Sequence, residues 1–217
     1  GLNPKVFVME NVSGMVRGKM KVIFAEIMKE LKNSGYNVKC KLMNTKYYGV
    51  PQSRQRLIFI GAREDLGIEP SHPKPQTIPI TVEEALRGVK NKTFLETKGK
   101  IDKYMNMLEP GECLVKFFKT SYFNHKRLYK DKPSQTLTTF ERSISQDGIS
   151  IYHYSENRNI TIEEAKRLAS FPDDFQLVGS YKDQMARIGN SVPPLFMKAI
   201  AEHIKTEILS KIKEETE

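Results

Sequence analysis

The sequence predicts an α/β fold carrying a small, irregular, β-rich segment, and three observations support that expectation. Two short apolar runs, Val6-Phe7-Val8-Met9 and Leu57-Ile58-Phe59-Ile60, read as strands covered on both faces. Between them lies a stretch with helical spacing, so residues 1–61 read β-α-β-β. Residues 89–155 show no long helical period and hold short β-like runs among turn residues.

The first strand is expected over Lys5–Met9. A helix follows over Gly18–Ser34, with Ile23, Ile27 and Leu31 four apart on one face, Phe24 and Met28 beside them, and Gly35 as its stop. Tyr36–Leu42 alternates, with Tyr36, Val38, Cys40 and Leu42 on one face, the pattern of a half-buried strand. Leu57–Ile60 reads as a further strand. Pro70, Pro73, Pro75 and Pro79 then mark a boundary. Thr81-Val82-Glu83-Glu84 and Thr161-Ile162-Glu163-Glu164 are capping boxes, opening helices that end near Gly88 and Ser170. Ser180 with Asp183 caps another short helix, stopped by Gly189. Pro194 suits a first helical turn, and Leu195–Ile212 predicts a long helix with Phe196, Ile200, Ile204 and Ile208 on one face. The expected divisions are 1–62, 63–150 and 151–217.

Composition narrows the class. The chain has 217 residues, 39% of them hydrophobic, enough for a core. No window approaches the ~20 apolar residues of a membrane span, and the start has no secretory pattern, so a cytoplasmic protein is expected. Cys40 and Cys113 are too few for a disulfide framework, and His72, His125, His153 and His203 lack metal-ligand spacing, so no metal is expected. The net charge is +9, and residues 1–61 alone hold 11 basic and 3 acidic side chains. Such a basic stretch fits a polyanion partner or a solvated lysine-rich surface.

Several residues have the chemistry of a site. Glu10 follows the first strand, where open α/β sheets bind ligands, and reads either as a functional carboxylate or as an ordinary loop acid. Gln52, Arg54 and Arg56 are spaced by two, which puts their side chains on one face of an extended segment. Two guanidinium forks and an amide there suit a phosphate, a carboxylate or a base edge, or local acids. Lys116–Lys132 holds six basic residues and five aromatics (Phe117, Phe118, Tyr122, Phe123 and Tyr129). Most of these aromatics are expected to form local core, while Lys126, Arg127 and Lys130 are expected to meet phosphates. Gly189-Asn190-Ser191-Val192-Pro193-Pro194 joins two helices, either as a plain loop or as a small-ligand contact beside a helix start. Cys40 reads as packing, and neither cysteine looks activated.

In this order the pieces resemble the C-terminal half of a cytosine-5 DNA methyltransferase. They are Glu10-Asn11-Val12, Gln52-x-Arg54-x-Arg56, Lys132-Pro133-Ser134-Gln135-Thr136-Leu137-Thr138-Thr139, Arg158-x-x-Thr161-x-x-Glu164, Arg167-Leu168-x-x-Phe171-Pro172-Asp173-Asp174-Phe175 and the Gly189–Pro194 turn. The resemblance implies part of a Rossmann-like methyltransferase sheet plus a target-recognition domain. It implies S-adenosylmethionine as cofactor, double-stranded DNA as partner, and restriction–modification as context. In that family the target cytosine is flipped from the duplex. A cysteine thiolate attacks carbon 6, and carbon 5 takes the methyl group. The position of Glu10 grips the ring-nitrogen side of the base, and those of Arg54 and Arg56 line the same pocket. Asn190, Ser191 and Val192 lie against the methionine part of the cofactor. On their own chemistry, Gln52, Lys126, Arg127 and Lys130 are the expected DNA contacts.

The family's glycine-rich cofactor turn and its Pro-Cys nucleophile are absent from this sequence, since neither Cys40 nor Cys113 follows a proline. These residues therefore read either as an excised fragment of a longer enzyme or as one subunit of a two-chain enzyme whose complementary chain supplies both, and the isolated chain is expected to be inactive and to bury its open sheet edge against a partner or a second copy. A non-catalytic DNA-binding module and an RNA methyltransferase of the same fold are the competing readings.

Overall fold

A computed structural model describes residues 2–89, 102–118, 125–138 and 151–212. The chain forms two compact units. One comprises Gly1–Thr45, Gln55–Gln76 and Phe196–Glu217, and the other Lys46–Arg54 and Thr77–Leu195. The expected boundaries at 62 and 150 therefore move. Residues up to Gln76 stay with the first unit: His72 bonds the Ile58 carbonyl through Nε2 (2.8 Å), and the Ser71 hydroxyl meets His203 Nε2 (2.8 Å). Residues 151–195 join the second unit because their apolar side chains share its core.

The first unit is built on β1 (Val6–Val12), α1 (Met20–Asn33), β2 (Tyr36–Asn44) and β4 (Gln55–Arg63), with the short β3 (Gln52–Ser53) preceding β4 in the chain. β4 lies between β1 and β2 and runs antiparallel to both. An apolar run reports that both faces are covered, and that is true of β4: Leu57 through Ile60 and Ala62 are all buried. It does not report strand direction.

One face of this sheet packs on α1 through Phe24, Ile27, Met28 and Leu31. Ile23, expected on that face, is 43% exposed. Gly35 follows α1 with φ +86°, the left-handed conformation that ends a helix without Cβ strain. Gly61 is needed for a second reason. It lies opposite Phe7, whose ring would sit 2.1 Å from any added Cβ, and that ring meets Tyr36 edge-on at 5.0 Å. On β2 the alternation holds for Tyr36 and Val38 and fails at the end, where Leu42 is exposed and Met43 buried. α6 (Pro194–Glu207) is shorter than expected, because Ile208 leaves helical geometry at φ −122°. Its stripe is as expected, with Phe196, Ile200, Ile204 and Ile208 all buried.

The second unit contains β3, α2 (Val82–Leu86), α3 (Asp102–Met105), β5 (Lys126–Arg127), β6 (Ser134–Gln135), β7 (Ile151–Tyr152), α4 (Ile162–Leu168) and α5 (Tyr181–Asn190). Its pairings are short and parallel, β3 with β6 and β5 with β7. α2, α4 and α5 each open on a capping box, in which the Ser or Thr side chain accepts from the third residue's N–H and that residue's carboxylate accepts from the cap N–H. A core of Val82, Leu86, Leu128, Leu137, Ile151, Ile160, Ala165, Leu168, Met185 and Ile188 joins helices and strands. Among the described residues no helix is long and apolar enough to cross a membrane.

Candidate active site

In the first unit Glu10 lies within β1, which continues to Val12 rather than ending before it. Glu10 faces Ile58 across the sheet and Arg56 faces Val12, so the two side chains meet on the diagonal of an antiparallel pair. Arg56 Nε donates to Glu10 Oε1 at 2.6 Å, with 15% of the arginine side chain and 26% of the glutamate side chain exposed. A second arm of Arg56 donates to the Gln55 carbonyl at 2.8 Å. The guanidinium thus fixes the carboxylate from one side while solvent reaches it from another. The neighbouring Asn11 folds back, its Oδ1 accepting from the Val12 N–H at 2.8 Å.

In the second unit Gln52 and Arg54, two of the three residues expected on one face, both turn inward to the Leu137 backbone. Gln52 is 1% exposed and Arg54 5% exposed. Gln52 Oε1 accepts from the Leu137 N–H (3.4 Å), and its Nε2 donates to the Leu168 carbonyl (3.5 Å). Arg54 donates to the Leu137 carbonyl (3.2 Å) and the Gly189 carbonyl (2.9 Å). Burial and these backbone partners correct the reading of Gln52 as a DNA contact. Arg56 pairs with Glu10 instead.

Asn190 is the last residue of α5, and α6 begins at Pro194, so the connection is Ser191–Pro193. Asn190 is exposed, and Ser191 and Val192 are half-buried. The Ser191 hydroxyl donates to the Ile188 carbonyl at 2.7 Å and closes α5. The connection therefore sits between the carbonyl end of one helix and the amide end of the next, not only beside a helix start.

Lys126 and Arg127 are 7% and 4% exposed, which corrects their reading as phosphate contacts. β5 is an internal strand: it pairs with β7, and Lys126 also bridges to Cys113. Arg127 donates to the His153, Glu156 and Met105 carbonyls and, at 2.6 Å, to Asn157 Oδ1. Lys126 Nζ donates to the Thr136 carbonyl at 2.7 Å. Lys130 remains exposed, 3.5 Å from Glu83. Phe117 and Phe118 pack into local core, as expected, while Tyr122, Phe123 and Thr139 lie outside the described residues.

Burial pushes the Lys126 ammonium down from 10.5 to about 8. The charged form is thus disfavoured in the fold. That penalty is fully present below about pH 8 and disappears as pH rises to 10.5, where the unfolded chain also loses the proton. It amounts to about 3 kcal/mol at neutral pH, partly offset by the bond to Thr136. Lys126→Met is therefore expected to raise the melting temperature near neutral pH, with a gain that shrinks towards pH 10. A loss of stability at neutral pH would contradict this.

Sequence reasoning missed the role of the Leu137 backbone, which carries no side-chain signature. Burial raises the Cys40 thiol to about 11, which disfavours the thiolate. Among the described residues no three His, Cys, Asp or Glu side chains group as a metal site.

The fold is that of a methyltransferase. A prophage-encoded protein of E. coli, solved as a DNA modification methyltransferase, superposes with a TM-score of 0.74 at 22% identity, covering 96% of this chain and 71% of that one. S. pombe Dnmt2 methyltransferase gives 0.60 at 16% identity, covering 95% and 68%. The family description for C-5 cytosine-specific DNA methylases matches residues 1–206, and the chain belongs to that family. Type II methyltransferase M1.HphI of Haemophilus parahaemolyticus is 32% identical over 93% of this chain, and M.NgoFVII of Neisseria gonorrhoeae 30% identical over 99%. The chain spans 56% and 64% of the length of those two relatives.

Proposed function

We propose that this chain is the C-terminal part of an S-adenosylmethionine-dependent DNA cytosine-5 methyltransferase of restriction–modification type, acting on a cytosine flipped out of duplex DNA. The observation that carries the reading is the Glu10–Arg56 pair, a carboxylate held at 2.6 Å by a guanidinium on a family-matched sheet. A carboxylate so fixed can grip the ring-nitrogen side of a flipped cytosine and handle the proton there. Arg56 holds that carboxylate in place and offers a cation for the base oxygen.

S-adenosylmethionine supplies the methyl group when bound. Asn190, Ser191 and Val192 would hold one part of it. The connection they form has a helix carbonyl end on one side and an amide end on the other, which suits the ammonium and carboxylate of an amino acid. The glycine-rich turn and the nucleophilic cysteine would come from outside these residues, on the same polypeptide or on a complementary one. The sheet edges support this. β2 carries Lys39 and Lys41, charges that discourage further pairing, whereas the single charge on β1 is Glu10. β1 is thus the edge for a complementary strand or, in isolation, for a second copy.

The test has two parts. Residues 1–217 alone, with tritiated S-adenosylmethionine and unmethylated duplex, should transfer no methyl group until the part bearing the cysteine and the glycine-rich turn is supplied, and transfer by these residues alone would overturn the reading. A flat response of both samples, with sequence-selective duplex binding retained, would favour a non-catalytic DNA-binding module. Binding itself should weaken with salt, log affinity falling by about 0.9 per phosphate neutralised for each log unit. A flat salt titration would exclude a lysine-rich DNA face.

A further inference from the structure

We propose that Arg54 is a positioning residue that ties the Thr136–Leu137 stretch after β6 to the Asn190–Ser191 turn. Its guanidinium does so by bridging the backbone carbonyls of Leu137 and Gly189. The strand pairing of β3 with β6 ends at Ser53 and Gln135. Two residues further on, side chains take over from the backbone. Gln52 Oε1 receives the Leu137 N–H, and Arg54 donates to the Leu137 carbonyl. The residue before it is held as firmly: Lys126 Nζ donates to the Thr136 carbonyl, and the Thr136 hydroxyl donates to the Ser53 carbonyl at 3.0 Å. Leu137 itself is 1% exposed, so its backbone groups have no water to turn to.

The other arm of Arg54 reaches the Gly189 carbonyl at 2.9 Å, one residue before Asn190 at the end of α5. The last carbonyls of a helix lack partners within it, and a cation there is favoured by the helix dipole. Arg54 therefore closes α5 from outside, while Ser191 closes it from within through Ile188. Gln52 does the same at the end of α4, through Leu168. The two residues together hold one strand against the ends of two helices, and Arg54 reaches the turn. An arginine is required because its planar fork donates in two directions at once, whereas a lysine ammonium is a single point of charge.

The consequence for methyl transfer rests on the reading of that turn as part of the cofactor site. The residue would then couple how residues 134–138 sit to where Asn190 points, without touching either the base or the cofactor.

The test is amide hydrogen exchange and nitrogen NMR on the full chain carrying R54K or Q52M. R54K should speed exchange in both 134–138 and 187–193 by about tenfold or more, the factor expected on losing a bond from a charged donor. It should also shift the Asn190 side-chain amide signal, and leave α1 and β2 unchanged. Q52M should loosen 134–138 and spare 187–193. Were Arg54 merely a buried cation, R54K would keep its charge and move neither the turn nor the Asn190 signal, and that result overturns the proposal. If R54K does not fold, the wild-type chain still decides: Arg54 should show two separate Nη signals from restricted rotation, and one averaged signal overturns the clamp. None of these readouts depends on methyl transfer. Failure of the proposed activity would leave the clamp standing, and unchanged exchange would leave the activity standing.

Discussion

Glu10→Gln should lower methyl transfer by the completed enzyme about 10²–10⁴-fold, the range for losing a positioned proton-handling group. Glutamine keeps the shape of the side chain and can still meet Arg56. It cannot carry the negative charge that the 2.6 Å bond to Arg56 Nε holds in place. The stability cost should be small, because the pair is partly open to solvent, and such pairs contribute about 0–1 kcal/mol. Duplex binding should also survive, since the affinity of a DNA-binding surface comes mainly from phosphate contacts rather than from one carboxylate. The decisive measurement is single-turnover transfer from tritiated S-adenosylmethionine at saturating DNA. A variant retaining more than about a tenth of the wild-type rate would remove Glu10 from the reaction.

The parts of the fold legible in the sequence are those decided locally. The boxes at Thr81, Thr161 and Ser180 were readable because a cap and its acid three residues later satisfy each other's backbone groups wherever the helix sits. The α6 stripe from Phe196 to Ile208 was readable because burial follows the helical period. Strand direction was not, since apolar content is the same whichever way β4 runs between its neighbours. Nor was the fate of Lys126 and Arg127. Their charges suggest solvent, but two strand contacts enclose β5, and the charges meet carbonyls from segments far away in the chain.

The site was legible in the same uneven way. The spacing predicted Gln52, Arg54 and Arg56 on one face; Gln52 and Arg54 both reach the Leu137 backbone, whereas Arg56 reaches Glu10. Which groups they would meet was hidden, because Leu137 and Gly189 contribute only carbonyl and amide groups that every residue has. The Glu10–Arg56 pair was suggested only by resemblance. Nothing in a single strand says which residue of another strand lies on its diagonal.

The largest stability effect is expected at Arg158. Its guanidinium makes two bonds to Glu164, at 2.7 and 2.8 Å, and a further pair to Glu156, with side-chain exposures of 8% for Arg158 and 5% for Glu164. The bonds to the two carboxylates hold the guanidinium above its usual range. Glu164 is also the acid of the box that opens α4, accepting from the Thr161 N–H at 2.9 Å. α4 in turn supplies Ile162, Ala165 and Leu168 to the core of the second unit. Arg158→Met removes one partner of a buried pair and leaves a carboxylate without its cation, a change that costs about 3–5 kcal/mol. Replacing both partners costs less, because no bare charge remains. Thermal melts should therefore show Arg158→Met far less stable than wild type, and Arg158→Met with Glu164→Gln partly recovered. Glu164→Gln alone should fall between them, since the amide oxygen can still accept the Thr161 N–H. Equal losses for the single and double variants would mean that the pair is not acting as a unit. α4 would then be held by its apolar face alone.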